Sequence, residues 1–273
     1  MLSVSLLLAS FASADETSAR AAMENSSNPL VQISTTEGNI YLELLVNEAP
    51  QNVANFLALA AGEVEIVDPD SGQSFSPNYY DGMAFHRVVP ELLIQAGSPE
   101  RNVFGAPALA PADEINAIAL GLDRIPAVLA DGSFNPILQL GDREEMEEMI
   151  LIPLYRAMEI SSNTEVTQRQ YEIDERLRTM SVKQVYENLG YRYTQRYSTR
   201  SIGRGTVGLA NSGPNSSGPE FFIAVNQAEW LNGRYTVIGR VVEGMEIVDR
   251  INQVPVEQSP GSLGTLIYRI REL

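Results

Sequence analysis

The segment "LVQISTTEGNIYLELLV", Leu30 to Val46, alternates apolar and polar residues on both sides of Glu37-Gly38. A repeat of two is the repeat of a strand, because successive side chains there point to opposite faces. The Glu-Gly pair supplies the turn. The stretch is therefore a β-hairpin, with Val31 and Ile33 facing the core from one strand and Ile40, Leu42 and Leu44 from the other. A hairpin with one apolar face has to bury that face against something. "APQNVANFLALAAGE" follows at once. Pro50 suits a first helical turn, Val53, Phe56, Leu57 and Ala60 form one stripe, and Gly62 ends the run. That is an amphipathic helix covering one side of a sheet.

The same pattern returns further on. After a polar loop over 63–81, "AFHRVVPELLIQAG" reads as two short strands, Met83–Val88 and Leu92–Gln95, broken near Pro90. "GTVGLAN", "EFFIAVN" and "YTVIGRVV" are β-rich and separated by Gly-, Asn- and Pro-rich turns. "EGMEIVDRINQV" has Met245, Val248 and Ile251 at helical spacing, and "LGTLIYRIREL" closes the chain as a strand. Strands with short turns and two covering helices predict a mainly β fold, a closed antiparallel barrel with helical caps.

Residues 106–200 break this rhythm and read as a mostly helical insertion. "GDREEMEEMILIPLYRAMEI" puts Met146, Met149, Ile150, Leu154 and Met158 on one helical face, which Pro153 should kink or divide. Glu172–Arg176 and Asp174–Arg178 are spaced i,i+4 for ion pairing. Ser181-x-x-Gln184 is a capping box, and Gly190 closes the helix that follows it. The Met-rich face is a packing face, although methionine also suits adaptable binding surfaces.

At the other end, "MLSVSLLLASFASADETS" has an apolar run, Leu2 to Phe11, too short to span a bilayer. It ends in Ala12-Ser13-Ala14. This predicts an export signal cleaved after Ala14, although its first residues lack Lys or Arg. A cysteine-free exported chain suits a periplasm. Residues 15–28 read as a flexible leader, and the folded domain spans 29–273 around the insertion. No other segment predicts a stable membrane insertion. The net charge of -16 repels phosphate backbones and argues against a nucleic-acid partner. With no cysteine and only His86, thiol nucleophiles, thiolate metal sites and His-rich metal sites are excluded. No cofactor or metal is expected.

Three ordered stretches carry chemistry: "FHRVVPELLIQAG", "GLANSGPNSSGPEFFI" and "EWLNGRYTVIGRV". Together with the hairpin and the two helices, they resemble the cyclophilin-type peptidyl-prolyl cis-trans isomerases over roughly 30–105 and 201–273. The resemblance implies an eight-stranded antiparallel β-barrel capped by two helices. It implies a catalytic arginine at Arg87 and polar partners at Gln95 and Asn211. It also implies a proline pocket and rim from Leu92, Leu93, Ala210, Glu220, Phe222, Trp230, Leu231 and Tyr235. His86 is left as a neutral strand residue with a satisfied ring and no part in the chemistry.

The sequence departs from the family pattern in places. The usual Phe and Met of the pocket are Leu92 and Leu93. The usual glutamine before Phe-Phe is Glu220, which puts a carboxylate near the groove. Pairing between Glu220 and Arg87 would partly occupy the arginine and favour basic residues flanking the proline. Tyr235 stands where many members have histidine.

The partners implied are proline-containing polypeptides during folding of exported proteins. A rival reading, a periplasmic chaperone or binding module of weak activity, would work mainly through the insertion. Oligomeric state is not legible in the sequence.

Overall fold

The structure, a computed structural model, describes residues 14–67, 72–103, 105, 107, 110–254 and 264–273. Among the described residues ten strands are formed: β1 (Leu30–Thr35), β2 (Gly38–Leu44), β3 (Ile66–Val67), β4 (Ser74–Phe75), β5 (Phe85–Val89), β6 (Leu93–Ala96), β7 (Thr206–Leu209), β8 (Phe221–Ala224), β9 (Val237–Glu243) and β10 (Ile267–Glu272). The α-helices among the described residues are α1 (Glu16–Ala22), α2 (Pro50–Ala61), α3 (Arg143–Met146), α4 (Ile152–Ala157), α5 (Asn163–Gln168), α6 (Gln170–Thr179), α7 (Val182–Asn188) and α8 (Met245–Gln253).

Eight strands make one antiparallel sheet in the order β10-β1-β2-β9-β7-β8-β6-β5, with β3 and β4 a separate hairpin. The β1–β2 hairpin forms with Ile33 opposite Ile40 and Val31 opposite Leu42; Thr35 pairs with Gly38, so the turn residues are Thr36 and Glu37, one place before the expected Glu37-Gly38 pair. Ile33, Ile40, Val31 and Leu42 are all buried, as is Leu44. α2 starts at Pro50 and stops at Gly62, whose φ of 73° lets its N–H reach back to the last-turn carbonyls. It packs against β9 and β10, while α8 packs against β2, β5 and β6.

The sheet stops short of the closed barrel that the sequence predicts. The end strands β5 and β10 form no ladder. They meet at one isolated bridge between Ala84 and Leu266, flanked by Phe85 N–H donating to Thr265 O at 3.0 Å and Ile267 N–H to Met83 O at 2.7 Å. Just past that bridge β5 carries a bulge. The bridge is antiparallel, so β5 runs on from it away from β10, which begins on the bridge's other side at Ile267, and the two strands do not lie side by side.

Residues 110–202 between β6 and β7 hold helices α3 to α7 around a core of their own, with Leu122, Leu138, Ile150, Leu154, Val185 and Tyr186 at its centre. Pro153 divides the predicted helix: α3 passes through a wide π-turn, Glu147–Leu151, before α4 resumes with proline in its first turn. The Ser181–Gln184 capping box forms as predicted. Asp174 pairs with Arg178, but Glu172 turns to Arg169 instead of Arg176, three residues back along the surface.

This helical region is fastened to the sheet by a buried carboxylate. Glu114 accepts from the backbone N–H of Gln51 and Asn52 and from Asn52 Nδ2, all at the N-terminus of α2, where the helix dipole favours negative charge.

The stretch 15–28 is not the flexible leader expected from its composition. Asp15 caps α1 through Ser18 N–H at 3.0 Å, and Ala19 is buried against Leu30 and Tyr41. The cause lies in β2. Glu43, fully buried, accepts from Glu24 N–H, Asn25 N–H and Asn28 Nδ2 at 2.9 Å each and from Arg240 Nε at 3.0 Å. A carboxylate saturated by donors in this way ties the segment down. Of the predicted signal, residues 1–13 lie outside the described residues.

Burial pushes the Glu43 carboxyl up, but these donors outweigh it and hold it below the usual range. A depressed folded pKa adds stability above the unfolded value that disappears as pH falls through the folded one. Glu43→Ala should therefore lose about 3 kcal/mol at neutral pH. In thermal melts its deficit against the native protein should narrow below the ordinary carboxylate range.

Candidate active site

The predicted residues converge on the face of the sheet opposite the main core. Period-two alternation sorts them: Phe221, Ile223 and Ile94 point into the main core, while Phe222, Ala224 and Leu93 point to the other face. On that face one row crosses four strands. Arg87 lies opposite Gln95, Gln95 opposite Phe222, and Phe222 opposite Gly208.

Arg87 joins this row only through the bulge. Phe85 pairs with Ala96 and Arg87 with Gln95, leaving His86 as the extra residue. Strict alternation would send Phe85 and Arg87 to the same face. The bulge instead keeps Phe85 fully buried in the core and brings both His86 and Arg87 to the site.

A polar chain links the row. Arg87 Nη1 donates to Gln95 Oε1 at 2.8 Å, and Gln95 Nε2 donates to Glu220 Oε1 at 2.7 Å. His86 Nε2 meets the same Glu220 oxygen at 2.7 Å. Glu220 and Arg87 therefore do not pair directly; Gln95 stands between them. Among the described residues no carboxylate lies within ion-pair distance of Arg87, and its side chain is exposed. Burial pushes Glu220 up, but the donors from His86 and Gln95 and the charge on Arg87 hold it below the ordinary carboxylate range. The His86 ring is satisfied on one side only, since Nδ1 is buried without a partner.

The apolar part is a compact cluster. Phe222 and Leu93 are buried in it, with Leu92, Ala210, Trp230, Leu231 and Tyr235 packed around them. The Tyr235 ring stands edge-on to Phe222, centroids 5.5 Å apart. Ala210 N–H donates to Glu220 O at 2.8 Å, holding the strand end beside the polar chain. Asn211 Nδ2 donates to Arg234 O at 2.8 Å. The donor amides of both Gln95 and Asn211 are thus engaged within the protein, leaving each one further N–H. All eleven predicted residues are brought together at this one site.

Gly208 was not among the residues singled out from the sequence. A Cβ there would sit 2.5 Å from Phe222 Cζ. The glycine lets the ring lie down against β7, and the signal for it was the lone glycine inside the strand "GTVGLAN", a mark of close approach.

The fold and this site define a cyclophilin-like protein, and the comparisons agree. A family model described as cyclophilin type peptidyl-prolyl cis-trans isomerase/CLD matches residues 30–270. The chain belongs to that family, whose members catalyse peptidyl-prolyl cis-trans isomerisation. Peptidyl-prolyl cis-trans isomerase B of Streptomyces anulatus is 27% identical over 225 residues, covering 82% of this chain and 83% of that protein. Peptidyl-prolyl cis-trans isomerase-like 1 of Neurospora crassa is 24% identical over 228 residues, 84% and 83% of the two chains. A crystal structure of a Cryptosporidium parvum cyclophilin-type isomerase, in the presence of the dipeptide Ala-Pro, is 18% identical with a TM-score of 0.46, covering 89% of this chain and 98% of that one.

Gly208→Val should push the Phe222 ring toward the groove. Overpacking of this kind costs about 1–3 kcal/mol. The expected outcome is a lowered melting temperature and a kcat/KM on an Ala-Pro peptide reduced about tenfold, as one such increment in transition-state binding would give.

Proposed function

We propose that the chain accelerates rotation about X–Pro bonds in exported polypeptides, using Arg87 as the donor to the prolyl nitrogen. The observation that supports this is the state of Arg87: anchored through one N–H on Gln95, without a carboxylate partner, beside the apolar floor of Phe222 and Leu93. Rotation breaks amide resonance against a barrier of about 20 kcal/mol. The nitrogen becomes pyramidal and regains its lone pair. A rigid, permanently charged guanidinium suits that lone pair.

Phe222, Leu93 and Leu231 hold the proline ring, with Leu92, Ala210, Trp230 and Tyr235 as the rim. The free N–H of Asn211 and that of Gln95 contact the turning carbonyl or the flanking backbone. No covalent bond forms or breaks, so the step asks for no cofactor or metal. Each contact counts only insofar as it favours the twisted amide over the planar one.

Arg87→Ala should lower kcat/KM on an Ala-Pro peptide by about 10²–10³, the range for loss of an aimed donor. Arg87→Lys should recover little, because an ammonium lacks the fork that spans Gln95 and substrate. Full activity in Arg87→Ala would sink the assignment.

The exported setting rests on the signal-like N-terminus. Cleavage after Ala14 would leave Asp15, the cap of α1, as the first residue. N-terminal sequencing of the protein secreted by a bacterial host tests this.

A second reading, in which the 106–200 insertion contributes chaperone binding, is favoured by its separate core and by Tyr171, 84% exposed on α6. Within it, the ends of the segment 127–180 are close: Ala127 N–H donates to Met180 O at 2.8 Å, and Pro126 bridges Ser181. Replacing residues 127–180 by a short glycine linker should spare peptide isomerisation and abolish suppression of client aggregation. Unchanged aggregation suppression would remove the second reading.

A further inference from the structure

Arg87 is aimed by Gln95, and an amide has two ends of opposite polarity. Nothing in Gln95 itself decides which end faces the arginine. The decision comes from Glu220, the residue that replaces the glutamine usual in the resemblance noted above. An ionised carboxylate only accepts hydrogen bonds. Gln95 must therefore turn its NH2 toward Glu220, at 2.7 Å, and its carbonyl oxygen toward Arg87, at 2.8 Å. A glutamine at 220 would satisfy either orientation of Gln95, and the reversed one sets NH2 against guanidinium, donor against donor.

Two further observations make the carboxylate a fixed post. His86 Nε2 is 2.7 Å from the same oxygen. With Nδ1 buried and unpartnered, the ring acts as a brace whose polar contact is to Glu220. The backbone of Glu220 is also held, its carbonyl accepting from Ala210 N–H at 2.8 Å. Glu220 remains ionised at neutral pH, because donors and the Arg87 charge outweigh its burial.

We propose that Glu220 is a positioning residue of the isomerase site: braced by His86, its carboxylate sets the polarity of the Gln95 amide and through it the aim of Arg87. This rests on the reading of Arg87 as the donor.

The test compares Glu220→Ala and Glu220→Gln with the native protein, by kinetics on an Ala-Pro peptide and by the side-chain amide signals of Gln95 in 15N-labelled protein, assigned by their loss in Gln95→Glu. Glu220→Ala should shift the Gln95 signals and lower kcat/KM about tenfold, the factor for one charge-assisted hydrogen bond, while melting shows a folded protein. Glu220→Gln should fold at least as well, recover part of the activity, and give two Gln95 signal sets. Unmoved Gln95 signals, or undiminished kcat/KM in either folded variant, overturn the proposal. A native protein with no isomerase activity overturns the reading of Arg87 instead, and the Gln95 signals then still report on the polarity.

Discussion

The bulge at His86 is the constraint on which the site depends. One extra residue in β5 changes the parity of everything after Phe85. Without it, Arg87 would share the face of Phe85 and point into a core already filled by Phe56, Tyr80 and Phe221. A guanidinium there would be an unpaired buried charge. With it, Phe85 stays inside, Val88 returns to the core side, and Val89 joins the site cluster.

The rest of the molecule is organised by carboxylates that act as fasteners. In a chain of net charge -16, most acidic groups face water and repel one another. Glu43, Glu114 and Glu220 behave differently. Each is withdrawn from solvent and each faces donors from segments distant in sequence. Glu43 ties down α1, Glu114 ties the helical region to α2, and Glu220 ties β5 to β8. Arg200 and Arg240 complete the first of these by bridging Glu24 to Glu48 and Glu43. Charge-assisted hydrogen bonds of this type are stronger than neutral ones and fix position as well as energy.

How far the sequence reveals this follows from what each feature depends on. The β1–β2 hairpin, α2 and α8 are governed by local period and turn chemistry, and Val31, Ile40, Phe56 and Ile251 fall where the pattern puts them. The site residues are legible through the motifs that hold them. The bulge is not, because "FHRVV" has no glycine or proline to mark it; its register is decided by β6. Closure fails for a related reason, since it depends on β5 and β10, elements at opposite ends of the sheet order. α1 was missed because "ETSARAA" has almost no apolar stripe, and what orders the segment is Glu43, 18 residues beyond Asn25. The polarity imposed by Glu220 is likewise a matter of three residues meeting from three strands or strand ends.

The helical region is also part of the site's rim. Tyr193 Oη donates to Gly233 O at 3.0 Å, Asn211 Nδ2 to Arg234 O at 2.8 Å, and the Tyr235 ring packs on Phe222. Three consecutive residues thus touch the helical region, the Asn211 loop and Phe222 in turn. Arg234 itself lies among Tyr186, Tyr191 and Tyr235. A side chain at Gly233 would strike Leu122, so the loop and the helical core are in direct contact. The side chains of the helical region that touch residues 233–235, Leu122, Tyr186, Tyr191 and Tyr193, all lie outside residues 127–180, so that part of the helical region can be replaced without removing a group in contact with this loop.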